Sequence, residues 1–291
     1  MKVRVVLLLF ALVGIVTIAG SPVHAAPSPV RSLGISPLRS ELTITPGTSF
    51  DGSITLTNSG KDPLVVTLDA EAFSVTDQVY DYSFDPAGTG VDWVSFSNNS
   101  IHIQPGGAST IRYKVAVPIS AEPGGRYLTI LASSDPTTNT DGVTSINRVA
   151  TLLYITIAGD VTRTGKVLTF DSPILTAGDA TWTATLQNGG TTHFHSIYNV
   201  TVRPVFGNML SSSEADSLIL PSTIRLISQQ IPHLDWIGLY RLDYTIGLGD
   251  VPAQQETRWI LNVPPLQGLI LLVIVAILVL LRLKPRYKKE N

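Results

Sequence analysis

Short runs in which every second residue is apolar recur along this chain, and that rhythm limits its fold more than any other feature. Ile54 and Leu56 share one face of the run Ser53–Thr57. Ile111, Tyr113, Val115 and Val117 alternate with Arg112, Lys114 and Ala116. Trp182, Ala184 and Leu186 alternate with threonines, and Tyr240, Leu242, Tyr244 and Ile246 repeat the scheme. A period of two gives a strand one apolar and one polar face, the pattern of an antiparallel sheet covered on one side. Turn signals at Pro46-Gly47, Asn58-Ser59-Gly60, Pro105-Gly106-Gly107, Pro123-Gly124-Gly125 and Asn188-Gly189-Gly190 separate the runs. No internal segment keeps a helical period. The expected fold is all-β: two tandem immunoglobulin-like sandwiches and one C-terminal apolar helix.

The sandwiches must close without a staple, because none of the 291 residues is cysteine. That excludes a disulfide scaffold, a thiol nucleophile and a cysteine-ligated metal centre. A hydrophobic fraction of 44% with only 14% charged residues also argues against a disordered chain.

Lys2 and Arg4 precede the apolar run Val5–Ala19, then Gly20, Pro22 and the small residues Ala25 and Ala26. This is the pattern of a secretory signal peptide, with cleavage expected after Ala25. Near the other end, Leu266–Leu281 carries no charge and is followed by Arg282, Lys284, Arg286, Lys288 and Lys289. A single membrane span over 264–283 with a basic cytoplasmic tail, 284–291, is the reading that follows. It places the chain at a cell membrane with its N-terminal bulk outside. Between these ends, residues 26–265 hold 13 Lys and Arg against 21 Asp and Glu, a net of −8. An acidic exterior of this kind disfavours nucleic acid as a partner.

A break at Ala158–Gly165 divides the exported part into expected domains 26–160 and 161–263. Gly125-Arg126-Tyr127 and Gly238-Leu239-Tyr240 fall late in each and open a strand, a local repeat that supports two similar units. The first unit runs from Gly34-Ile35-Ser36-Pro37-Leu38 through Pro46-Gly47, Asn58-Ser59, Trp93, Ile103-Gln104-Pro105-Gly106 and Tyr113–Pro118 to Ala121–Tyr127. In that order of features it resembles the peptidoglycan-binding-type domain of bacterial WxL-interacting surface proteins. It is more loosely similar to the chaperone-like immunoglobulin domains of pilus assembly. The resemblance implies a scaffold or adhesion role near a cell wall. It places no ligand residues, and Trp259-Ile260-Leu261 spells W-x-L only once, in an expected last strand.

Two segments carry candidate chemistry. Asp77, Asp81 and Asp85 lie in an insertion with Tyr80, Tyr82 and Phe84. Aromatic rings there could stack on sugars, or the insertion could pack on its own domain. His193 and His195 stand at i and i+2, on one face if extended, as in half of a metal site. Neither the carboxylate nor the histidine spacing matches a standard metal loop, so no cofactor or metal is expected. No G-x-S-x-G, H-E-x-x-H, Walker or G-x-G-x-x-G motif is present, which argues against an enzyme. The leading expectation is a non-catalytic, membrane-anchored surface protein that recognises cell-wall polymer or another surface protein. The alternatives are a chaperone-like accessory subunit acting by strand addition, and a cryptic hydrolase.

Overall fold

A computed structural model describes residues 31–138 and 144–283. The expected cleavage site at Ala25 and Ala26 and the basic tail 284–291 lie outside the described residues. The first half is a two-sheet sandwich. In chain order its strands are β1 (Leu33–Ser36), β2 (Arg39–Ile44), β3 (Ser49–Asn58), β4 (Leu64–Val75), β5 (Tyr82–Asp85), β6 (Val94–Phe96), β7 (Ser100–Ile103), β8 (Ala108–Ala116), β9 (Gly124–Ser134), the short pair β10 (Thr137–Thr138) and β11 (Thr144–Ser145), and β12 (Arg148–Ile157). One sheet runs β1-β3-β8-β6. The other runs β2-β12-β9-β4-β5, with β7 also on β4. The second half repeats the plan with β13 (Gly165–Asp171), β14 (Leu175–Thr176), β15 (Ala180–Asn188), β16 (Phe194–Pro204), β17 (Ser211–Ile219), β18 (Ile224–Ile231), β19 (Gly238–Leu248) and β20 (Val251–Asn262). Its sheets are β13-β15-β18 and β14-β20-β19-β16-β17.

The alternating runs occupy the strands as their period requires. Ile111, Tyr113 and Val115 of β8 enter the first core, with Ile54 and Leu56 of β3 beside them. Trp182, Ala184 and Leu186 of β15 enter the second, where Trp182 meets Tyr198 and Tyr244 edge-on at 5.7 and 5.0 Å. Aromatic contacts of this kind add roughly 0.5–1.5 kcal/mol each beyond area burial, and they do here what a cross-sheet disulfide does elsewhere. The local Gly-x-Tyr repeat opens β9 and β19 alike, but its tyrosines face opposite ways. Tyr240 is in the second core and donates its hydroxyl to the Trp236 carbonyl, 2.9 Å away. Tyr127 instead points away from the first core and packs between the sandwiches. A one-residue offset in a period of two is enough to turn a side chain over.

Helix α1 (Pro265–Leu283) follows β20. The expected membrane span, and with it the single-pass placement at a cell membrane, is corrected here. Among the described residues no helix is long and apolar enough to cross a membrane. The first turn of α1 is used on the second sandwich: Gln267 accepts from the Ile237 N–H at 2.7 Å and donates to the Asp235 carbonyl at 2.6 Å.

Candidate functional site

Two features outside the cores could act on a partner: the junction between the sandwiches, with a cleft at its side, and the free edge of β20. The junction has an apolar core of its own. Phe73 of β4, Tyr80, and Tyr154 of β12 meet Leu218 and Leu220, with Tyr127 at their flank. Phe73 touches Tyr127 at 5.8 Å and Tyr154 at 5.4 Å between ring centres.

The insertion after β4 completes this junction. Asp77 folds it by accepting from the N–H groups of Val79 and Asp81, both at 3.0 Å. That turn places Tyr80 at φ 70°, a left-handed conformation unfavourable for a residue with a Cβ. The conformation persists because the side chain is held on every side. Its hydroxyl lies 2.8 Å from Thr223 Oγ1 and accepts from the Leu220 N–H at 2.9 Å, and the Arg225 guanidinium covers its ring at 4.3 Å. Burial raises the Tyr80 pKa above its ordinary value, so the hydroxyl keeps its proton. Gln78 adds a carbonyl to the Leu226 N–H of β18 at 2.8 Å. Of the other candidates in this segment, Asp85 caps a turn by accepting from the Ala87 N–H. Tyr82 and Phe84 stand exposed on β5 with their rings near-parallel, 6.3 Å apart.

The two candidate histidines separate. His193 is buried against Tyr127 and Tyr154, with its Nδ1 3.3 Å from the Tyr127 hydroxyl. Burial lowers its pKa to about 4, so it is neutral. His195 lies at the mouth of the junction, its Nδ1 2.6 Å from Asp216 of β17 and its Nε2 2.9 Å from Glu41 of β2. Burial pulls its pKa down, but the hydrogen bonds and charges of Glu41 and Asp216 outweigh that and raise it. Arg163, Thr43, Thr156 and Asp250 join His193, His195 and Glu41 around a cleft of about 340 Å³. With both nitrogens held by carboxylates, His195 has none left to activate a nucleophile. Among the described residues no group of three or more His, Asp or Glu is placed to hold a metal ion.

The edge of β20 was not legible as a site in the sequence. In the first sandwich the last strand, β12, is covered by β2 in parallel over Leu152–Ile157. In the second, the counterpart β14 pairs only with Leu261 and Asn262. The N–H groups of Leu261 and Val263 point outward to the Ile174 and Thr176 carbonyls. By alternation the backbone groups of Gln255, Thr257 and Trp259 face outward as well, on a stretch of edge that no strand among the described residues covers. Above this edge Leu175, Leu261 and Leu239 sit side by side across three strands, all exposed, next to exposed Trp259.

No protein-family model matches the chain, and no curated protein matches it. The resemblance to WxL-interacting proteins thus has no matching family behind it. Among solved structures, the chain is similar to the class 5 fimbriae chaperone CfaA, at 9% identity over 80% of this chain and 100% of that one, with a TM-score of 0.42. It is similar to a chaperone–tip subunit complex, CsuC–CsuE, of the archaic Csu pili of Acinetobacter baumannii, at 11% identity over 80% and 99%, TM-score 0.38. The E. coli chaperone DraB matches at 13% identity over 78% and 98%, TM-score 0.35.

Proposed function

We propose that this protein is a non-catalytic accessory subunit that holds an extended segment of another exported protein by strand addition. The observation that carries this reading is the outward-facing backbone of Gln255, Thr257 and Trp259, left uncovered by the described strands where the equivalent strand of the first sandwich is paired by β2 over its last six residues, Leu152–Ile157. Free edges are normally shortened, covered or twisted away, because they template pairing with other chains. An incoming strand would bond this edge through its backbone and find Trp259, Leu261 and Leu239 beside it for alternate side chains. The junction supports the same reading, since Tyr80 and the aromatic cluster hold the two sandwiches as one platform.

A photo-crosslinking residue at Gln255, in the full chain expressed in its own host, tests this. Adducts with one exported protein are expected, absent when the crosslinker is moved to Ser83 on the β5 edge. Thr257→Pro, which removes an outward N–H, should abolish them with the protein still folded. Equal labelling at both positions, or adducts that survive Thr257→Pro, would overturn the proposal.

A further inference from the structure

We propose that His195 is a proton-operated latch on the cleft side of the junction, joining Glu41 of the first sandwich to Asp216 of the second only while its ring carries both protons. Carboxylates only accept hydrogen bonds, and a neutral imidazole has one N–H to give. The contacts at 2.6 and 2.9 Å therefore need two donors at once, which only the imidazolium supplies.

When that proton leaves, one carboxylate faces a ring lone pair. Asp216 lies on the neighbouring strand of the same sheet and makes the shorter contact, so the remaining N–H stays with it. Glu41 is the group released. It has somewhere to go: Arg39 Nε already lies 3.8 Å from its other oxygen. The charged and titratable groups around His195 are Arg39 and Glu41 on β2, Asp216 on β17, His193 beside it, Arg163 before β13 and Asp250 in the β19–β20 turn. Of these, His193 is held neutral by burial. In the weakly acid to mildly alkaline range the latch has a single moving proton.

The rest of the junction does not depend on that proton. The Thr156–Thr192 hydroxyl pair at 3.0 Å, the Gly125 N–H to the Thr191 carbonyl at 2.9 Å, and the apolar cluster around Tyr80 persist. Loss of the latch thus opens the cleft about a junction that stays closed on its aromatic side. The sign follows from the raised pKa: the latch is fully engaged below the ordinary histidine value and is lost as pH rises through the higher folded one.

Because the chain has no cysteine, Lys114→Cys and Lys166→Cys, exposed on β8 and β13, can carry a pair of spin labels in the full chain. At pH 5.5 the inter-label distance distribution should be narrow, and at pH 9 broader and shifted. Glu41→Gln and His195→Gln should each give one distribution at both pH values. The NMR titration midpoint of His195 should lie above 6.5 and fall in Glu41→Gln. No pH response in the parent, or a response retained in both variants, would overturn the latch.

Discussion

Asn58 and Asn188 close the turn after the third strand of each sandwich, β3 and β15, with the same set of bonds. Asn58 donates to the Asp62 and Ile103 carbonyls and accepts from the Gly60 N–H. Asn188 donates to the Thr192 and Ile219 carbonyls and accepts from the Gly190 N–H. Both are buried, so alanine leaves two carbonyls and one N–H without partners. We expect Asn58→Ala and Asn188→Ala each to lower stability by about 2–4 kcal/mol in denaturant unfolding, nearly equally. Asn-x-Gly was readable in the sequence as a turn. That the same turn is bolted to a distant strand, and so marks a true structural repeat, needed the fold. The Gly-x-Tyr repeat was the reverse case: a shared sequence placing its tyrosines on opposite faces.

At the scale of the element, alternation determined the strands, and what it could not tell was which of their edges stay free. Thr257 and Glu256 are neighbours on β20, yet proline should act on them oppositely. The Thr257 N–H faces outward, and the Glu256 N–H bonds to β19 across its pairing with Tyr244. Thr257→Pro should shift the thermal midpoint little, whereas Glu256→Pro should cost about 3 kcal/mol or more, read by thermal unfolding of the two variants side by side. The insertion Asp77–Asp85 carried enough aromatic residues to look like a ligand loop. Tyr80 is instead committed to the second sandwich, because its hydroxyl satisfies a buried N–H there.

Across the whole molecule, the junction sets the response to pH, and its two histidines pull in opposite directions. His193 binds a proton near its ordinary 6.5 when unfolded and only near 4 when buried. The unfolded chain therefore holds more protons between those values, and stability falls as pH drops from about 6.5 toward 4, at most roughly 1.4 kcal/mol per unit. His193→Asn, which keeps an acceptor for the Tyr127 hydroxyl, should flatten that limb of the thermal midpoint against pH. His195 acts in the other direction, and its contribution is lost on the alkaline side. A steep acid limb retained in His193→Asn would show that other groups govern it.

By itself the sequence determined the all-β plan, the two repeated units and the cysteine-free cores, because strand period and turn chemistry are local properties of the chain. Only the tertiary structure decided the roles of the candidate residues. His193 and His195 are two positions apart, yet burial lowers the proton affinity of the first, while Glu41 and Asp216, 154 and 21 residues away, raise that of the second. The open edge of β20 was likewise decided by a partner strand two residues long. Burial, charge and edge pairing depend on neighbours in space, and a linear pattern carries no record of them.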